Sequence, residues 1–222
     1  MKKTLFFAIL ALSINAIAQT NVPGGNVSGT WTIAGSPYLI QGSIQILNDS
    51  TLTIEPGVTV NFQGTYKMYV QGRVIAIGTA KDTIIFTSAN PTNGWRGIRF
   101  DNTPATNDTS KLIYCKVQYG RATGTGNDAR GGALYFENFS KAIISNCLIT
   151  NNSSNAFGGG ICCSDYSSPT ISNNIISNNT ASDNSIWGNG GGICCYFSSP
   201  TISNNNISNN TAFSAFNGGG GG

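Results

Sequence analysis

The chain has 222 residues and a formal net charge of +3, and only 9% of its residues are charged whereas 40% are hydrophobic. Gly, Asn, Ser and Thr together supply 100 residues. This composition excludes a highly charged disordered chain and a helical bundle, and it favours an all-β protein. The chain has no histidine, which removes histidine-containing catalytic triads and the usual zinc sites.

The first eighteen residues have the pattern of a secretory signal peptide. Lys2-Lys3 form a basic start, an apolar run follows from Leu5 to Ile14, and Ala16-Ile17-Ala18 is a cleavage signal before Gln19. The apolar run is too short for a membrane span, and no later segment approaches the roughly 18 apolar residues that one needs. We therefore predict a signal peptide at residues 1–18 and an exported protein, extracellular or on the cell surface, that is not an integral membrane protein.

The charge distribution argues against a nucleic-acid partner. Loss of the signal peptide leaves 10 basic residues against 9 acidic ones, a net charge of +1. After Lys141 the chain has no Lys or Arg, and its only acids are Asp165 and Asp183. Nucleic-acid binding needs a concentrated basic face, which this half of the chain cannot provide.

A repeat of 31 or 32 residues is the strongest pattern in the chain. Gly-Gly-Gly-Ile-Cys-Cys occurs at 158–163 and again at 190–195, and Ser-Pro-Thr-Ile-Ser-Asn-Asn occurs at 168–174 and again at 199–205. A more diverged copy begins at Gly131. The repeats have no 3.6-residue apolar stripe, and periods of this length are typical of solenoids.

Each repeat consists of short β-type runs separated by turn residues. Ile171 and Ile176 flank Asn173-Asn174, so we expect the chain to turn at Asn, which tolerates the left-handed conformation. Coils that stack at about 4.8 Å would place the isoleucines in buried columns. The predicted columns are Ile171 on Ile202 and Ile176 on Ile207.

The same stacking predicts an asparagine ladder. Asn174 and Asn205 occupy equivalent positions of neighbouring repeats. Amides in register can hydrogen-bond along a stack. A structural ladder therefore explains the abundance of Asn without a catalytic role for these residues.

The first half of the chain has the same pattern with larger residues. Leu52-Thr53-Ile54 and the run from Val58 to Phe62 alternate around Glu55-Pro56-Gly57, which suits a type II turn. The run from Ile113 to Tyr119 also alternates. In it we expect three side chains to face solvent, namely Tyr114, Lys116 and Gln118.

Several of these sequence motifs resemble those of a known superfamily. The segment from Leu52 to Phe62, with Val70-Gln71-Gly72 and Trp95-Arg96-Gly97-Ile98, resembles the N-terminal coils of secreted right-handed parallel β-helix proteins of Bacteroidetes-type bacteria. The Ile-Ser-Asn-Asn phrases resemble the parallel β-helix (PbH1) repeats of the pectate-lyase-like superfamily. The Gly-Gly phrases also resemble those of polymorphic outer-membrane adhesins, although their companion motif is not recognisable here.

We therefore predict an all-β, right-handed parallel β-helix with three short strands per coil. The predicted domains are a signal peptide (1–18), an N-terminal cap or linker (19–38) and the β-helix (39–222), with Asn/Gly-rich repeats from 131 to 222. The chain stops at Gly222, where another Gly-Gly-Gly-Ile-Cys-Cys phrase is due. We expect a truncated C-terminus that lacks further coils.

Two functions are compatible with these patterns. The first is a structural or binding module with a polysaccharide or a host or cell surface as its partner, adhesin-like and without a cofactor. The alternative is a polysaccharide lyase, because the resembling lyases use Ca²⁺ held by outward carboxylates and a Lys or Arg as base.

The lyase alternative rests on a few charged residues. Its catalytic candidates are Arg96, Arg99 and Asp101, with a second charged group at Lys116, Arg121, Asp128 and Arg130. Both groups are also explained as a solvated outer face, and no acidic cluster has the density of a Ca²⁺ site. A glycosidase needs two carboxylates close together, and the nine acids are scattered so that a pair could arise only across coils. We therefore favour binding over catalysis.

The cysteines and aromatic residues leave further alternatives. Alternation places Cys163 and Cys195 inward as small core residues, while Cys162 and Cys194 point outward with Tyr135. A disulfide between coils is the alternative for the outward pair, and metal binding is disfavoured. Aromatic side chains on loops or the outer face could stack on sugar rings, although stacks inside the β-helix are their commoner role. These aromatics are Trp95, Tyr119, Tyr135, Tyr166, Trp187, Tyr196 and Phe213.

Overall fold

The computed structural model describes residues 18–103, 109–183 and 190–214, so the predicted signal peptide (except Ala18) and the final glycines lie outside the described residues. Within these ranges the chain forms short strands and two short 3-10 helices, Ile33–Gly35 and Gly126–Ala129. The strands, in chain order, are β1 (Thr20–Val22), β2 (Gly25–Asn26), β3 (Gly29–Trp31), β4 (Tyr38–Ile40), β5 (Ile44–Ile46), β6 (Thr51–Ile54), β7 (Thr59–Phe62), β8 (Met68–Val70), β9 (Arg73–Ile77), β10 (Ile84–Ser88), β11 (Ile98–Asp101), β12 (Ser110–Ile113), β13 (Cys115–Gln118), β14 (Arg121–Ala122), β15 (Leu134–Glu137), β16 (Ala142–Ser145), β17 (Leu148–Thr150), β18 (Ser153–Ser154), β19 (Ile161–Ser164), β20 (Thr170–Ser172), β21 (Ile175–Ser177), β22 (Thr180–Asp183), β23 (Ile193–Tyr196), β24 (Thr201–Ser203), β25 (Asn206–Ser208) and β26 (Thr211–Ser214).

The strands stack into four parallel sheets. Sheet 1 has the order β1-β4-β7-β10-β13-β17-β21-β25, and sheet 2 has the order β2-β5-β8-β11-β15-β19-β23. Sheet 3 is β3-β6-β9-β12-β16-β20-β24, and sheet 4 is β14-β18-β22-β26. The chain therefore passes through the sheets in turn, and the predicted parallel β-helix with three strands per coil is confirmed. From β14 onward each coil also contributes a short fourth strand.

The core lies inside the coils because alternate residues of each strand point inward. In β7, Val60 and Phe62 are fully buried, whereas the residues between them are partly exposed. Aromatic rings stack along the axis, with 4.1 Å between the ring centroids of Phe62 and Trp95 and 4.6 Å between those of Phe100 and Phe136. Period-2 alternation is therefore enough to decide which residues form the core.

Left-handed residues turn the chain between sheets, as predicted. Asn173 has φ 58°, and Asn204 has φ 55° at the equivalent corner of the next coil. Gly57 has φ 79°, as a type II turn requires at its third position. Gly159 serves a different need, since a Cβ there would lie 2.5 Å from the carbonyl oxygen of Gly191 in the next coil. The repeated Gly-Gly phrase thus allows backbones of successive coils to approach closely.

The predicted asparagine ladder is present. Asn174 donates its side-chain amide to Oδ1 of Asn205 at 2.9 Å. Above it in the stack, the backbone N–H of Cys147 donates to Oδ1 of Asn174. A second ladder, which the sequence analysis did not identify, joins the corners between sheets 1 and 4 and runs through Asn152, Asn179 and Asn210.

The isoleucine columns have the predicted register but not the predicted burial in the last coil. Ile171 pairs with Ile202, and Ile176 with Ile207. Ile171 and Ile176 are fully buried, whereas Ile202 is 41% exposed and Ile207 is 36% exposed. The prediction of burial is wrong for Ile202 and Ile207, because β24 and β25 end their sheets among the described residues.

Two other segments differ from simple alternation. The run from Ile113 to Tyr119 is not one strand, because Tyr114 has φ 49° and forms the corner between β12 and β13. Residues 19–38, for which we predict a cap or linker, contain the first strands of sheets 1, 2 and 3. Trp31 of this segment is buried and stacks on Tyr38 with 4.6 Å between ring centroids.

Candidate functional site

The outer face of sheet 2 carries a row of large side chains in register. Tyr69 of β8 pairs with Arg99 of β11, and Arg99 pairs with Tyr135 of β15. The row continues through Cys162 and Cys194. These residues alternate with the core residues of their strands, so all five belong to the outside of the coil, as alternation predicted.

A segment of the chain folds back over this row. We call residues 123–130 the strap; they connect β14 to β15 and include the 3-10 helix Gly126–Ala129. Asp128 of the strap forms an ion pair with Lys67, with 3.0 Å between Nζ and Oδ1. The backbone carbonyl of Arg130 accepts a hydrogen bond from Nη1 of Arg99. The C-terminal part of the strap is therefore held against the outer face of sheet 2.

Arg99 is buried beneath the strap, and its predicted solvated position is wrong. Only 2% of this residue is exposed. Its Nε donates to the carbonyl of Arg96 at 2.7 Å, its guanidinium lies 5.6 Å from the ring centroid of Tyr135, and its buried Nη2 has no hydrogen-bond partner. Burial lowers the pKa of Arg99 to about 10, although the nearby charge of Asp128 acts in the opposite direction. The cation is thus held in a partly desolvated place without an ion-pair partner.

The structure brings together two carboxylates from neighbouring coils. Asp101 and Glu137 are register partners at the ends of β11 and β15. Asp101 accepts hydrogen bonds from the hydroxyl of Tyr69 and, at 2.6 Å, from the amide of Asn138. Burial, together with the charge of Asp101, raises the pKa of Glu137. The sequence analysis missed Glu137, although the equal spacing in Arg99-x-Asp101 and Tyr135-x-Glu137 would have aligned the two acids.

Glu137 is also tied to the strap. It accepts hydrogen bonds from the hydroxyl of Tyr135 at 3.3 Å and from the amide of Asn127. The pKa of Asp128 is lowered even though burial alone would raise it, because the Lys67 hydrogen bond and charge and the charges of Arg99 and Arg96 outweigh burial. Charged groups of both signs are therefore fixed around one small space.

That space is a cavity of about 230 Å³ between sheet 2 and the strap, which we call the strap cavity. Its charged and phenolic lining residues are Lys67, Tyr69, Arg99, Asp128, Tyr135 and Glu137. Of the lyase candidates, Arg99 reaches this cavity, Asp101 lies beside it through Tyr69, and Arg96 contributes its carbonyl to Arg99. The catalytic role of these three residues stays a prediction.

The described residues do not support the Ca²⁺ site that the lyase alternative implies. In residues 18–103, 109–183 and 190–214, no three Cys, Asp or Glu side chains are grouped so that they could hold a metal ion. Asp101 and Glu137 already accept hydrogen bonds from phenol and amide groups.

An exposed aromatic pair lies at the corner that follows sheet 2. Phe139 is 64% exposed and Tyr166 is 67% exposed, and their rings stack with 5.4 Å between centroids and 14° between planes. Both residues have φ 62°, a left-handed conformation that is uncommon for aromatic residues. Asn138, which donates to Asp101, directly precedes Phe139, so this aromatic corner is continuous with the charged cluster.

The other aromatic residues divide between the core and the surface. Trp95 is fully buried inside the coil, and Tyr135 is buried outside it. Tyr196 is 46% exposed and Phe213 is 59% exposed. Tyr119 is half-buried, and Trp187 lies outside the described residues.

The cysteine pairs are in register as free thiols. Cys163 belongs to the core, as predicted, but the same prediction is wrong for its register partner Cys195, which is exposed because β23 ends sheet 2 among the described residues. Cys162 and Cys194 lie on the outer face but are not solvent-exposed, because they pack with Tyr135 and Phe157. All six cysteines are free.

No helix among the described residues is long and apolar enough to cross a membrane.

Comparison with known proteins agrees with this architecture. Residues 31–221 match the family model described as "Right handed beta helix region", which includes most of the chain and agrees with the predicted handedness. A curated relative, "Protein bark beetle" of Drosophila melanogaster, is 33% identical over 81 residues, which is 36% of this chain and 3% of that protein. The chain thus spans a very small part of this relative's length. No solved structure matches the chain.

Proposed function

Since this chain belongs to the right-handed β-helix family, we propose that it is an exported β-helix module that binds glycans of a polysaccharide or of a cell or host surface. The family supports the β-helix scaffold. Glycan binding and export are inferred from particular residues.

The aromatic corner is the observation that carries the proposed binding. An aromatic ring that stays in water offers a flat apolar surface to the C–H groups of a sugar ring. Phe139 and Tyr166 present two such rings side by side, each about two-thirds exposed. Asn138 and Asp165, which precede them, are also left-handed. Two large rings that stack on each other while both stay exposed to water favour a role in binding.

The polar groups beside the corner suit a sugar ligand. Asp101, Asn138 and Glu137 supply carboxylate and amide groups next to the rings. Such groups can hydrogen-bond sugar hydroxyls at the edge of a stacked ring. Arg99, by contrast, is held beneath the strap, where a polymer chain would not contact it. The surface therefore favours binding without turnover.

The binding proposal is tested by affinity electrophoresis through gels that contain neutral or acidic polysaccharides. Phe139→Asn and Tyr166→Asn remove the rings and keep a residue that tolerates φ near 62°. Tyr114→Asn is the matched control, because Tyr114 is a left-handed corner tyrosine that is 36% exposed on another side of the coil. We expect at least one polysaccharide to retard the parent and the control, and to retard both corner variants much less. Equal retardation of all four proteins, or of none, contradicts the proposal.

Export is supported by the pattern of residues 1–18. Secretion in a bacterial host, followed by N-terminal sequencing of the exported protein, tests it. We expect the mature chain to begin at Gln19. A first residue at Met1, or well beyond Gln19, is the contrary result.

A further inference from the structure

Arg130, the last residue of the strap, is a cation without an anionic partner. Its guanidinium carbon lies 5.2 Å from the ring centroid of Phe157 and 5.9 Å from that of Tyr196. Its side chain also reaches the hydroxyl of Tyr135, which is a neutral partner. Among the residues that the structure describes, no ion pair joins Arg130 to a carboxylate. A guanidinium has several N–H donors and Arg130 is partly exposed, so donors remain for a ligand from solvent.

The two rings beside Arg130 are held on the outer face of the coil. They are parallel, with 6.2 Å between their centroids and 6° between their planes. Phe157 packs on the buried outer-face cluster of Tyr135, Cys162 and Cys194. Tyr196 belongs to β23 and is 46% exposed. The contact of the guanidinium with both rings therefore fixes where the positive charge lies.

A pocket opens beside this group, and we call it the Arg130 pocket. Its volume is about 520 Å³, within the roughly 300–1,000 Å³ of common ligand pockets. Arg130 supplies its charge, and its other lining residues among those described are Phe157, Gly190, Ile193, Cys194, Cys195 and Tyr196. None of these lining residues is an Asp or a Glu. The pocket thus combines an apolar wall with one positive charge that no carboxylate balances.

This lining defines the class of ligand. Two aromatic rings, Ile193 and the two thiols favour an apolar body over one that carries many hydroxyls, which would lose hydrogen bonds to water there. One guanidinium balances one negative charge, so a ligand with a single anionic group fits better than a phosphate dianion. The planar donors of a guanidinium match a carboxylate, which accepts hydrogen bonds from two of its N–H groups at once.

We propose that the Arg130 pocket binds a small apolar monocarboxylate, whose carboxylate accepts hydrogen bonds from Arg130 and whose apolar body lies against Tyr196, Phe157 and Ile193. Burial of the apolar body contributes affinity, and the ion pair with Arg130 selects the charged group. The site is separate from the aromatic corner, because neither Phe139 nor Tyr166 lines the pocket. It does not depend on glycan binding at that corner.

The first test is calorimetric titration of the full mature chain with three matched compounds. 3-Phenylpropionate has both the apolar body and the carboxylate, 3-phenylpropanamide has the same body without the charge, and acetate has the carboxylate without the body. We expect 3-phenylpropionate to bind at least about tenfold more tightly than either of the others, since each lacks one of the two contributions. Absence of 3-phenylpropionate binding, or equal binding of the amide or of acetate, overturns the proposal.

Cys195 gives a readout that is specific to the site and needs no variant. This thiol is exposed and lines the Arg130 pocket. Saturating 3-phenylpropionate should slow alkylation of Cys195 by iodoacetamide several-fold, whereas the amide at the same concentration should have little effect. An unchanged rate, in a sample that binds 3-phenylpropionate by calorimetry, places the ligand elsewhere and contradicts the proposal.

The second test uses variants. Arg130→Met removes the charge but keeps an unbranched side chain and the carbonyl that accepts from Arg99, and it should weaken 3-phenylpropionate binding at least about tenfold. Tyr196→Leu should also weaken binding, and it covers the case in which Arg130→Met does not fold. Lys111→Met removes an equal charge from β12 of sheet 3, on another side of the coil, and should bind as the parent does. Unchanged affinity in Tyr196→Leu and in a folded Arg130→Met contradicts the assignment.

Discussion

Asn152 donates its side-chain amide to Oδ1 of Asn179, one coil further along, at 2.9 Å. Asn179 in turn donates to Oδ1 of Asn210 at the same distance, and the amide of Asn152 also reaches the carbonyls of Val117 and Thr150. All three asparagines are buried. The ladder thus satisfies backbone groups that the turns leave without partners in the sheets, and it links the coils outside the strand pairing.

We expect Asn179→Ala to be strongly destabilising. The change removes the side-chain oxygen that accepts from the backbone N–H and the amide of Asn152, and it removes the donor to the carbonyl of Ile149. The buried backbone N–H of Asn152 then has no acceptor. The free energy of unfolding should fall by about 2–4 kcal/mol. Urea titration measures it. Asn206→Ala, at an exposed position of β25, is the control and should change the value by less than about 0.5 kcal/mol; equal losses in the two variants would show that the ladder adds nothing.

The register pair Ile171 and Ile202 allows the same substitution to be compared in two environments. Ile171 is fully buried, whereas Ile202 is 41% exposed. Ile171→Ala should lower the free energy of unfolding by about 2–5 kcal/mol, and Ile202→Ala should lower it by less than half as much. Denaturant unfolding of both variants tests this. If the two losses are equal, Ile202 is buried in solution and something covers the last coil.

Glu137 should make stability depend on pH. Burial and the neighbouring Asp101 raise its pKa in the folded state, so the folded protein holds this proton more tightly than the unfolded chain does. Its contribution to stability is therefore fully present below the unfolded pKa and is lost as pH rises through the folded pKa. Glu137→Gln should be more stable than the parent at pH 7, and this advantage should disappear below about pH 4.

Thermal unfolding of Glu137→Gln and the parent between pH 3 and pH 8 measures the effect. Asp49→Asn removes one negative charge at an exposed turn and controls for net charge. A constant difference across this range, or a parent that is more stable at pH 7, disagrees with the expected sign.

Cys195 should be the reactive thiol of the folded protein. It is the exposed cysteine among six free ones, and its hydrogen bond with Cys163 lowers its pKa to about 7, against the opposing effect of burial. Alkylation by iodoacetamide should modify it first, with a rate that rises to half its maximum near the pH of that pKa. Cys195→Ser should abolish the fast reaction, and Cys163→Ala, which removes the hydrogen-bond donor, should move the profile to higher pH.

Mass spectrometry of the alkylated, unreduced protein identifies the modified residue and any disulfide. We expect most of the cysteines to be free, with Cys162 to Cys194 the pairing to examine. Two or more disulfides, or a different thiol that reacts first, would be inconsistent with this assignment.

We expect the chain to show no polysaccharide lyase activity. A lyase needs a base at the sugar proton and a cation at the developing charge, but Arg99 is buried and bonded to the strap, and Asp101 is bonded to Tyr69 and Asn138. Incubation with uronate polymers and Ca²⁺, followed by ultraviolet absorbance of the unsaturated product, tests this. Sustained product formation that is lost in Arg99→Ala would support the lyase alternative.

The repeats of the sequence determined the fold, the register and the inward face. Equal spacing of Ile171 and Ile202, with Asn at the intervening corners, leaves one way to stack the coils, and period-2 alternation decides which side chains enter the core. The ladder through Asn174 followed from the same spacing. These features are local and repeated, so the amino-acid pattern contains them.

Only the tertiary structure decided what covers the outer face. Alternation places Arg99 and Tyr135 outside the coil, but it does not show that the strap buries them. That burial depends on contacts such as the ion pair of Lys67 with Asp128, which are 61 residues apart and belong to no repeat. A side chain's partners across such an insertion are set by how the whole chain packs, and no periodic pattern encodes them.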